Sequence, residues 1–377
     1  MSFILTEEQE ELLALVRKFS EKEILPYAHQ MDVEAHFVPG LIQKIADLGF
    51  MGINVPEEYG GVGADEVTKA LVIMEFAKYD ASVAELLAVH TLSSDIILKH
   101  GTPEQKEKYL TKACTGAVGA FALTEPNAGS DAAAAKTKAI SQGDEYIING
   151  SKCFISNMGQ DEGDYVILIV LTDPEKKTKG MSAIIVDRDT PGFTVPKTED
   201  KMGLRAAPVS ELYFDECHVP KSQLLGEEGK GFAIAMAGLD GGRIGMASQA
   251  VGLAESCIAE SVEYSTQRVQ FGKPVNANQG LQWYLADMAT KTEAAKALTL
   301  NAAALRQAGK NITKEAAMAK YYASETAVEV ANKALQIHGG YGYMKEYAIE
   351  RQYRDARIIP IYEGTSEVQK MVISRAV

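Results

Sequence analysis

The segment EYIINGSKCFIS, residues 145–156, has β-branched and aromatic residues on both sides of an Asn-Gly pair. Such a pair between two strand-forming runs is typical of a tight hairpin, so we predict two strands joined at Asn149-Gly150. The apolar segments YVILIVL (residues 165–171) and MSAIIVD (residues 181–187) follow, bounded by turn residues. Strands at this spacing, without helical patterns between them, indicate an antiparallel sheet or a small barrel in the middle of the chain.

The segments before and after this sheet have helical patterns. Thr6 and Gln9 have the spacing of a capping box, and amphipathic or Ala-rich periodic stretches follow on both sides of the sheet. We therefore predict an α+β fold of three domains: an N-terminal α-helical domain (1–120), a middle antiparallel β domain (121–228) and a C-terminal four-helix bundle (229–377). This order argues against a doubly wound nucleotide-binding fold, in which strands and helices alternate throughout.

The composition excludes several classes of function. Of 377 residues, 46% are hydrophobic and 24% charged, and a net charge of −13 argues against a nucleic-acid-binding protein. Residues 1–9 lack the basic and apolar runs of a signal peptide, and the longest apolar run, residues 165–171, is too short for a membrane span. The four scattered cysteines and six histidines show no metal-ligand spacing, so we expect a cytoplasmic protein without a metal site.

Two clusters that contain glycine are candidates for ligand binding. FALTEPNAGSD, residues 121–131, passes from an apolar strand into a loop that offers backbone N–H groups to a polar ligand, or that forms an ordinary turn. QIHGGYGY, residues 336–343, ends a predicted helix with more glycines than a helix C-cap requires. Those glycines indicate either a close approach of the backbone to a ligand or a structural break.

A third cluster, IYEGTSEVQ at residues 361–369, contains a candidate general base. Glu363 follows apolar residues and precedes a glycine, so we predict that it lies on a loop in a largely apolar wall. Burial there would raise the pKa of its carboxyl group, as a general base requires. The structural alternatives are a solvated surface glutamate, and a helix cap at Thr365 or Ser366.

The ordered set of these clusters resembles the acyl-CoA dehydrogenase family, and the resemblance covers essentially the whole chain. The segments that carry it are LTEPNAGSD (123–131), RVQFG (268–272), QIHGGYG (336–342), RQYRD (351–355) and YEGTSE (362–367). The sequence is most similar to the short-chain (butyryl-CoA) dehydrogenases of anaerobic bacteria.

The resemblance implies that the chain binds FAD and an acyl-CoA thioester, and it assigns roles to individual residues. Many relatives carry Trp where this chain has Phe154, which keeps an aromatic wall. The residues expected to hold the flavin ring are Phe121, Leu123, Thr124, Ser130, Phe154, Ile155 and Ser156. The pyrophosphate and adenosine end is expected at Arg268, Phe271, Gln279, Gln336, Gly339 and Gly340, partly across a subunit interface, with Thr365 and Glu367 completing the site. Substrate contacts are expected from Ser130, Asp240, Arg243, Tyr362 and Gly364.

The resemblance also implies a mechanism and a substrate class. Glu363 would remove the α proton of the thioester while the β hydrogen leaves as hydride to the flavin. Some relatives place the base where this chain has Gly242, which makes the isovaleryl and long-chain types less suitable. Glutaryl-type relatives use an arginine in the helix that lines the pocket, and residues 81–95 contain no Arg or Lys. A short, uncharged acyl chain is expected, butyryl-CoA first, although Glu85 and Asp95 would alternatively suit a polar or aryl acyl group.

Several alternatives stay open at this point. Similar enzymes of anaerobes run as enoyl-CoA reductases, acting on crotonyl- or aryl-acrylyl-CoA in a bifurcating complex. An acyl-CoA oxidase is a further alternative, although oxidases of that type usually carry an extra C-terminal domain. A scaffold that kept the fold and lost the chemistry is the third. The expected partners are an electron-transferring flavoprotein and further copies of the chain in a homotetramer, a dimer of dimers.

Overall fold

The computed structural model describes residues 4–159 and 162–377, and within them the chain forms helices, then a sheet, then helices. The first helices are α1 (Glu7–Glu23), α2 (Ala28–Glu34), α3 (Leu41–Asp47), α4 (Glu66–Ala77), α5 (Ala81–His100) and α6 (Pro103–Cys114). The strands are β1 (Gly119–Ala122), β2 (Lys138–Gln142), β3 (Glu145–Ser156), β4 (Tyr165–Leu171), β5 (Met181–Asp187), β6 (Phe193–Thr194), β7 (Val209–Pro220) and β8 (Leu224–Leu225). The remaining elements are α7 (Gly231–Gln267), the short pair β9 (Val269–Gln270) and β10 (Lys273–Pro274), α8 (Gln279–Gln307), α9 (Thr313–His338), α10 (Ala348–Ala356) and α11 (Ser366–Ala376). The predicted order of α, β and α parts is confirmed.

The eight-stranded sheet has the order β6-β7-β3-β2-β4-β5-β8, with β1 beside β4. Most neighbours are antiparallel, as predicted, but β1 and β2 both pair with β4 in the parallel sense. The sheet is therefore mixed, because the long segments between these strands allow the chain to return in the same direction.

The predicted hairpin at Asn149-Gly150 is wrong. Residues 145–156 form the single strand β3, whose register against β7 shifts between Ile148 and Gly150. Gly150 has φ 146°, and a Cβ there would lie 2.7 Å from the Thr137 side chain, so the Asn-Gly pair forms an irregularity within a long strand. The real hairpin lies just before it, where Gln142 pairs with Glu145 around Gly143, which has φ 56°. The local sequence signal was the same, and pairing with β2 and β7 decided between the two places.

The N-terminal and C-terminal helices share one hydrophobic core. Its buried residues come from α1, α3, α4 and α5 on one side and from α7, α8, α9 and α10 on the other. The helices approach closely where their side chains are small: a Cβ on Gly252 of α7 would lie 2.0 Å from the carbonyl oxygen of Met74 in α4. The Ala-rich composition therefore allows tight helix packing. Helices α5 and α7 are also neighbours, since a Cβ on Gly245 of α7 would lie 3.1 Å from the Ala88 side chain of α5.

One helix, α5, is long and apolar enough to cross a membrane by length and composition alone. Of its most apolar window, 89% is buried inside the protein. Its apolar residues are therefore accounted for by the shared core. The helix begins at Asp80, whose Oδ1 accepts hydrogen bonds from the N–H groups of Ser82 (2.8 Å) and Val83 (3.1 Å).

A buried ion pair fixes the loop of residues 121–131 to the sheet. The Nζ of Lys152, on β3, donates to the Glu125 carboxylate (2.9 Å) and to the carbonyl of Leu123 (2.9 Å). Glu125 also accepts from the N–H groups of Lys136 (2.7 Å) and Thr137 (2.9 Å). The Lys152 side chain is fully buried, and burial lowers its pKa.

We expect Lys152→Met to reduce the free energy of unfolding by about 3–5 kcal/mol, because it leaves the Glu125 carboxylate buried without its cation. The double variant Lys152→Met/Glu125→Gln should recover part of the loss, because it removes the uncompensated charge. Denaturant unfolding of both variants and the wild type measures the difference. A loss below 1 kcal/mol in the single variant would contradict this role of the pair.

Candidate active site

The loop between α10 and α11 places Glu363 at the edge of the helical core. Its backbone is left-handed at two successive residues, with φ 54° at Glu363 and φ 89° at Gly364. Gln369 Nε2 donates to the carbonyls of both residues, at 3.1 and 2.9 Å, and Lys320 Nζ donates to the carbonyl of Gly364 at 2.7 Å. A non-glycine residue in this conformation is strained, and three hydrogen bonds from two buried side chains hold it there.

The carboxyl group of Glu363 points into the protein. Its Oε2 is buried and has no hydrogen-bond partner in the described part of the chain. It faces α7, where a Cβ on Gly242 would lie 3.0 Å from Oε2 and 3.5 Å from the Leu92 side chain of α5. Glycine at 242 therefore leaves the space that the carboxylate and a ligand beside it need.

Burial raises the pKa of Glu363, and two cations oppose that shift. Arg243, on α7, and Lys320, on α9, each lower the pKa of the carboxyl group. Burial lowers the pKa of Lys320 itself to about 8. The site thus combines a carboxyl group of raised pKa, as a general base requires, with two nearby cations that favour its anion.

Thr365 and Tyr362, on the two sides of Glu363 in the loop, fix it to α11 and α7. Thr365 caps α11 through a hydrogen bond from the N–H of Val368 (3.3 Å) to its hydroxyl group, so the predicted cap is real. Glu367 lies exposed in the first turn of α11. The Tyr362 hydroxyl donates to Gln249 of α7, which ties the loop to the bundle.

The sheet provides a second wall. Phe154 has φ 57° and a side chain that is 72% exposed at the end of β3, followed by the hydroxyl-bearing Ser156. Thr124 is half-buried beside this strand end, where its carbonyl accepts from the N–H of Cys153 (3.0 Å). Phe121 is half-buried, Leu123 and Ile155 are buried in the cores of the sheet, and Ser130 is exposed. The buried Ile155 side chain packs in the core, so only its backbone can contact a ligand.

A separate groove lies at the far end of the bundle, with a volume of about 520 Å³. It is lined by Arg268, Gly339 and Gly340 among others, and the Arg268 guanidinium lies 5.2 Å from the centre of the Tyr341 ring. A Cβ on either glycine would meet nothing within 4 Å, so the backbone there is open to a ligand. Three further predicted residues, Gln279, Gln336 and Phe271, are exposed, Phe271 to 97%.

Two predicted substrate residues pair with each other instead of standing free. Arg243 Nη1 donates to Asp240 Oδ1 (2.5 Å), and the Thr313 hydroxyl donates to Asp240 Oδ2 (2.6 Å). Arg243 is buried, and its Nε has no partner in the described residues. Arg243 also lowers the pKa of Glu363, so it is an electrostatic neighbour of the candidate base.

The sequence patterns did not reveal Lys320 or Gln369. Both are fully buried polar side chains. Lys320 lies on the buried face of α9 between Ala316, Ala317, Ala319 and Ala323. A lysine on an otherwise alanine face of a helix was the signal that could have identified it.

Comparison with known proteins covers the whole chain. It matches the family models described as the N-terminal, middle and C-terminal domains of acyl-CoA dehydrogenase over residues 6–117, 120–217 and 229–377. It is 53% identical over 380 residues to the acryloyl-CoA reductase (NADH) of Anaerotignum propionicum, which covers 100% of this chain and 96% of that relative.

Two solved structures are similar over their full length. Butyryl-CoA dehydrogenase from Megasphaera elsdenii has a TM-score of 0.97 and 46% identity, with 100% of this chain and 99% of that chain covered. A chain from a structural study of the electron transferring flavoprotein of Acidaminococcus fermentans and flavin-based electron bifurcation has the same TM-score of 0.97, with 46% identity and coverage of 100% and 99%.

We expect Lys320→Met to raise the pKa of the Glu363 carboxyl group further, because the variant removes a cation that lowers it. The protonated form should then persist to higher pH than in the wild type. Infrared titration of the carboxylic C=O band, assigned by its loss in Glu363→Gln, measures the shift. Lys314→Met, which removes a solvated lysine from the same helix, should leave the titration unchanged. A Lys320→Met titration that coincides with the wild type would refute the coupling.

Proposed function

The chain belongs to the acyl-CoA dehydrogenase family, and on that basis we propose that it exchanges hydrogen at Cα and Cβ of a short-chain acyl-CoA thioester, with Glu363 as the base. It is an FAD-dependent acyl-CoA dehydrogenase. The observation that carries the assignment of the base is the buried Oε2 of Glu363, which has a raised pKa and no partner in the described residues.

The residues present fit a flavin cofactor. The exposed Phe154 ring offers a flat apolar face, and two hydroxyl-bearing residues, Thr124 and Ser156, belong to the same strand end. When bound, FAD supplies the acceptor for the β hydrogen. Arg268 supplies a cation beside the open backbone of Gly339 and Gly340, which suits an anionic pyrophosphate.

The Glu363 loop and the Arg268 groove lie beside different parts of α9. Lys320, beside the Glu363 loop, precedes Gly339, which directly follows α9, by nineteen residues, or about 28 Å at 1.5 Å per residue. We therefore propose that the Arg268 groove completes the site of a neighbouring subunit in a homotetramer. Exposed aromatic residues beside the groove, Phe271 (97%) and Tyr343 (80%), suit a covered interface. Sedimentation analysis of the FAD-loaded protein tests the assembly.

Glu363 is suited to remove the α proton because its surroundings solve two problems at once. Burial raises its pKa and so makes its carboxylate a stronger base, and Arg243 and Lys320 stabilise the ionised form. The backbone N–H of Glu363 has no hydrogen-bond partner in the described residues. A thioester oxygen placed against this N–H would receive a fixed donor, which stabilises a developing enolate by roughly 3–4 kcal/mol.

The packing between α5 and α7 supports a short acyl chain. The cavity behind Gly242, between α4, α5 and α7, has a volume of only about 10 Å³. This space is barely that of one water molecule. Two of its lining residues are charged and paired: Asp95 bonds to Lys69 (2.8 Å) and also to Arg306 (2.9 Å), so this wall is unsuited to a long apolar chain. Butyryl-CoA is therefore the first substrate to test.

Reduction of an enoyl-CoA is the second candidate for the physiological direction. It is favoured by the 53% identity to an acryloyl-CoA reductase. The structural relative from the study of an electron transferring flavoprotein supports such a flavoprotein as the redox partner. A cytoplasmic location agrees with these relatives and belongs to the same proposal.

We expect anaerobic addition of butyryl-CoA to bleach the flavin absorbance of the wild type and to leave Glu363→Gln unbleached, because the amide cannot accept the α proton. Both proteins should remain yellow and bind butyryl-CoA. Glu107→Gln, which changes an exposed carboxylate on α6, is the control and should bleach normally. Bleaching of Glu363→Gln at the wild-type rate would remove Glu363 as the base.

Adding crotonyl-CoA to the reduced wild type tests the direction. Rapid return of the flavin absorbance, faster than the butyryl-CoA half-reaction, supports the reductase as the physiological role. The opposite order supports the dehydrogenase.

A further inference from the structure

Glu85 is a buried carboxylate that the proposed reaction does not use. It lies in the second turn of α5 and is 2% exposed. The Ser156 hydroxyl, at the end of β3, donates to Glu85 Oε1 at 2.7 Å. The next residue, Asn157, donates from its Nδ2 to the carbonyl of Leu86 at 2.9 Å, so this turn of α5 is fixed to the strand end.

The second carboxyl oxygen of Glu85 is unsatisfied. Oε2 is buried and has no hydrogen-bond partner in residues 4–159 and 162–377. The nearest cation does not supply one: Lys201 Nζ instead donates to the carbonyl of Ala207 at 2.7 Å and to that of Arg205 at 3.4 Å. A buried polar atom without a partner is costly, so a group absent from the folded chain alone is expected to meet it.

The charges around Glu85 place it at the site of Glu363. Burial raises the pKa of Glu85 to about 7, with Ser156 and Lys201 lowering it and Glu363 raising it. Burial and then Glu85 and Glu363 together raise the pKa of Tyr362. Glu85 is therefore close to the catalytic loop on one side and bonded to the sheet wall on the other.

Asp95, the other acidic residue of the same helix, differs from Glu85 because hydrogen bonds satisfy both of its carboxyl oxygens. Its Oδ1 accepts from Asn54 (2.5 Å), and its Oδ2 accepts from Lys69 (2.8 Å) and Arg306 (2.9 Å). Both oxygens are thus occupied, and Asp95 needs no ligand. The sequence alone gives no reason to distinguish Glu85 from Asp95, whereas the structure shows that, of the two, only Glu85 has an unpaired carboxyl oxygen among the described residues.

A purely structural role for Glu85 explains only half of its geometry. Orientation of the Ser156 hydroxyl requires one acceptor oxygen, and Oε1 supplies it. Another acceptor, such as a hydroxyl group, a backbone carbonyl or a glutamine side chain, could orient the Ser156 hydroxyl equally well. None of these would bury a second carboxylate oxygen. The free Oε2 is the part that remains to be explained.

We propose that Glu85 determines substrate specificity: its Oε2 accepts a hydrogen bond from a hydroxyl or ammonium group carried by the acyl chain beyond Cβ. The inference rests on the proposed function, because it places the acyl chain between Glu363 and the sheet wall. It narrows the substrate from any short acyl-CoA to one with a hydrogen-bond donor at its distal end. A site built to bond such a group discriminates strongly against an analogue that lacks it, because its own buried acceptor then stays unpaired.

Binding of unreactive ligands tests the proposal without turnover. S-(4-hydroxybutyl)-CoA, S-(5-hydroxypentyl)-CoA and S-(5-aminopentyl)-CoA are thioethers without an acidic α proton, and S-pentyl- and S-hexyl-CoA are their apolar counterparts. Calorimetry on the FAD-loaded protein gives the dissociation constants. We expect the wild type to bind at least one donor-bearing ligand about 10- to 100-fold more tightly than its apolar counterpart, as a hydrogen bond to a charged group provides.

Two variants of Glu85 separate the roles of its oxygens. Glu85→Gln keeps an acceptor for Ser156 but replaces one carboxyl oxygen by an amide donor, and Glu85→Leu removes both acceptors. Both should lose the preference for donors, and Glu85→Leu should bind S-hexyl-CoA more tightly than the wild type does. A preference for the amino ligand over the hydroxy ligand identifies a cationic acyl group, and the reverse identifies a neutral one.

Glu75→Gln is the matched control, since it alters a buried glutamate on α4 whose oxygens are both occupied, by Arg17 (3.0 Å) and Lys78 (2.9 Å). It should lower thermal stability and leave the ligand preference unchanged. If wild type and Glu85→Gln show the same ratio of affinities for donor and apolar ligands, Glu85 is only the partner of Ser156 and the proposal is overturned. Bleaching by butyryl-CoA reports the proposed function separately: a wild type that bleaches but shows no donor preference loses this inference alone.

Discussion

The position of Glu363 depends on a left-handed loop that two buried polar side chains hold in place. Lys320 and Gln369 donate to consecutive loop carbonyls, which stabilises a φ of 54° at a residue that is not glycine. That conformation turns the carboxyl group inwards and leaves the Glu363 N–H without a partner among the described residues. The burial that raises the pKa of Glu363, its N–H, unpaired among the described residues, and the closeness of Lys320 to the loop all follow from this set of hydrogen bonds.

The shared helical core provides the opposite side of the pocket. Because α5 and α7 pack together, a Cβ on Gly242 would contact both the Glu363 carboxyl group and the Leu92 side chain. The same packing buries Glu85 close to Tyr362 and Glu363, while Ser156 anchors it to the sheet. The pocket is thus bounded by three elements from three parts of the chain. Its small volume behind Gly242 follows from the close approach of the helices, which the glycines of α7 permit.

The middle sheet has to be rigid where it meets the helices. The Lys152–Glu125 pair ties the loop of residues 121–131 to β3, and Asn157 ties the end of β3 to α5. Phe154 is therefore exposed on a fixed strand end and not on a mobile loop. A flat ring of a cofactor can stack against such a surface at a small entropic cost, since the side chain and its backbone are already ordered.

The sequence by itself determined the order of helices, sheet and helices, the family, and the candidate base Glu363, because periodicity and contiguous motifs are local properties. It also identified the caps at Thr6 and Thr365. It did not determine whether Asn149-Gly150 is a turn or a bulge, since that depends on which strands pair with β3. It could not find Lys320 and Gln369, or distinguish the free oxygen of Glu85 from the occupied ones of Asp95. The partners of Lys320, Glu85 and Asp95 lie tens to hundreds of residues away, and those of Gln369 are brought to it by the left-handed turn at Glu363 and Gly364, so only the folded structure decides which buried polar groups meet each other.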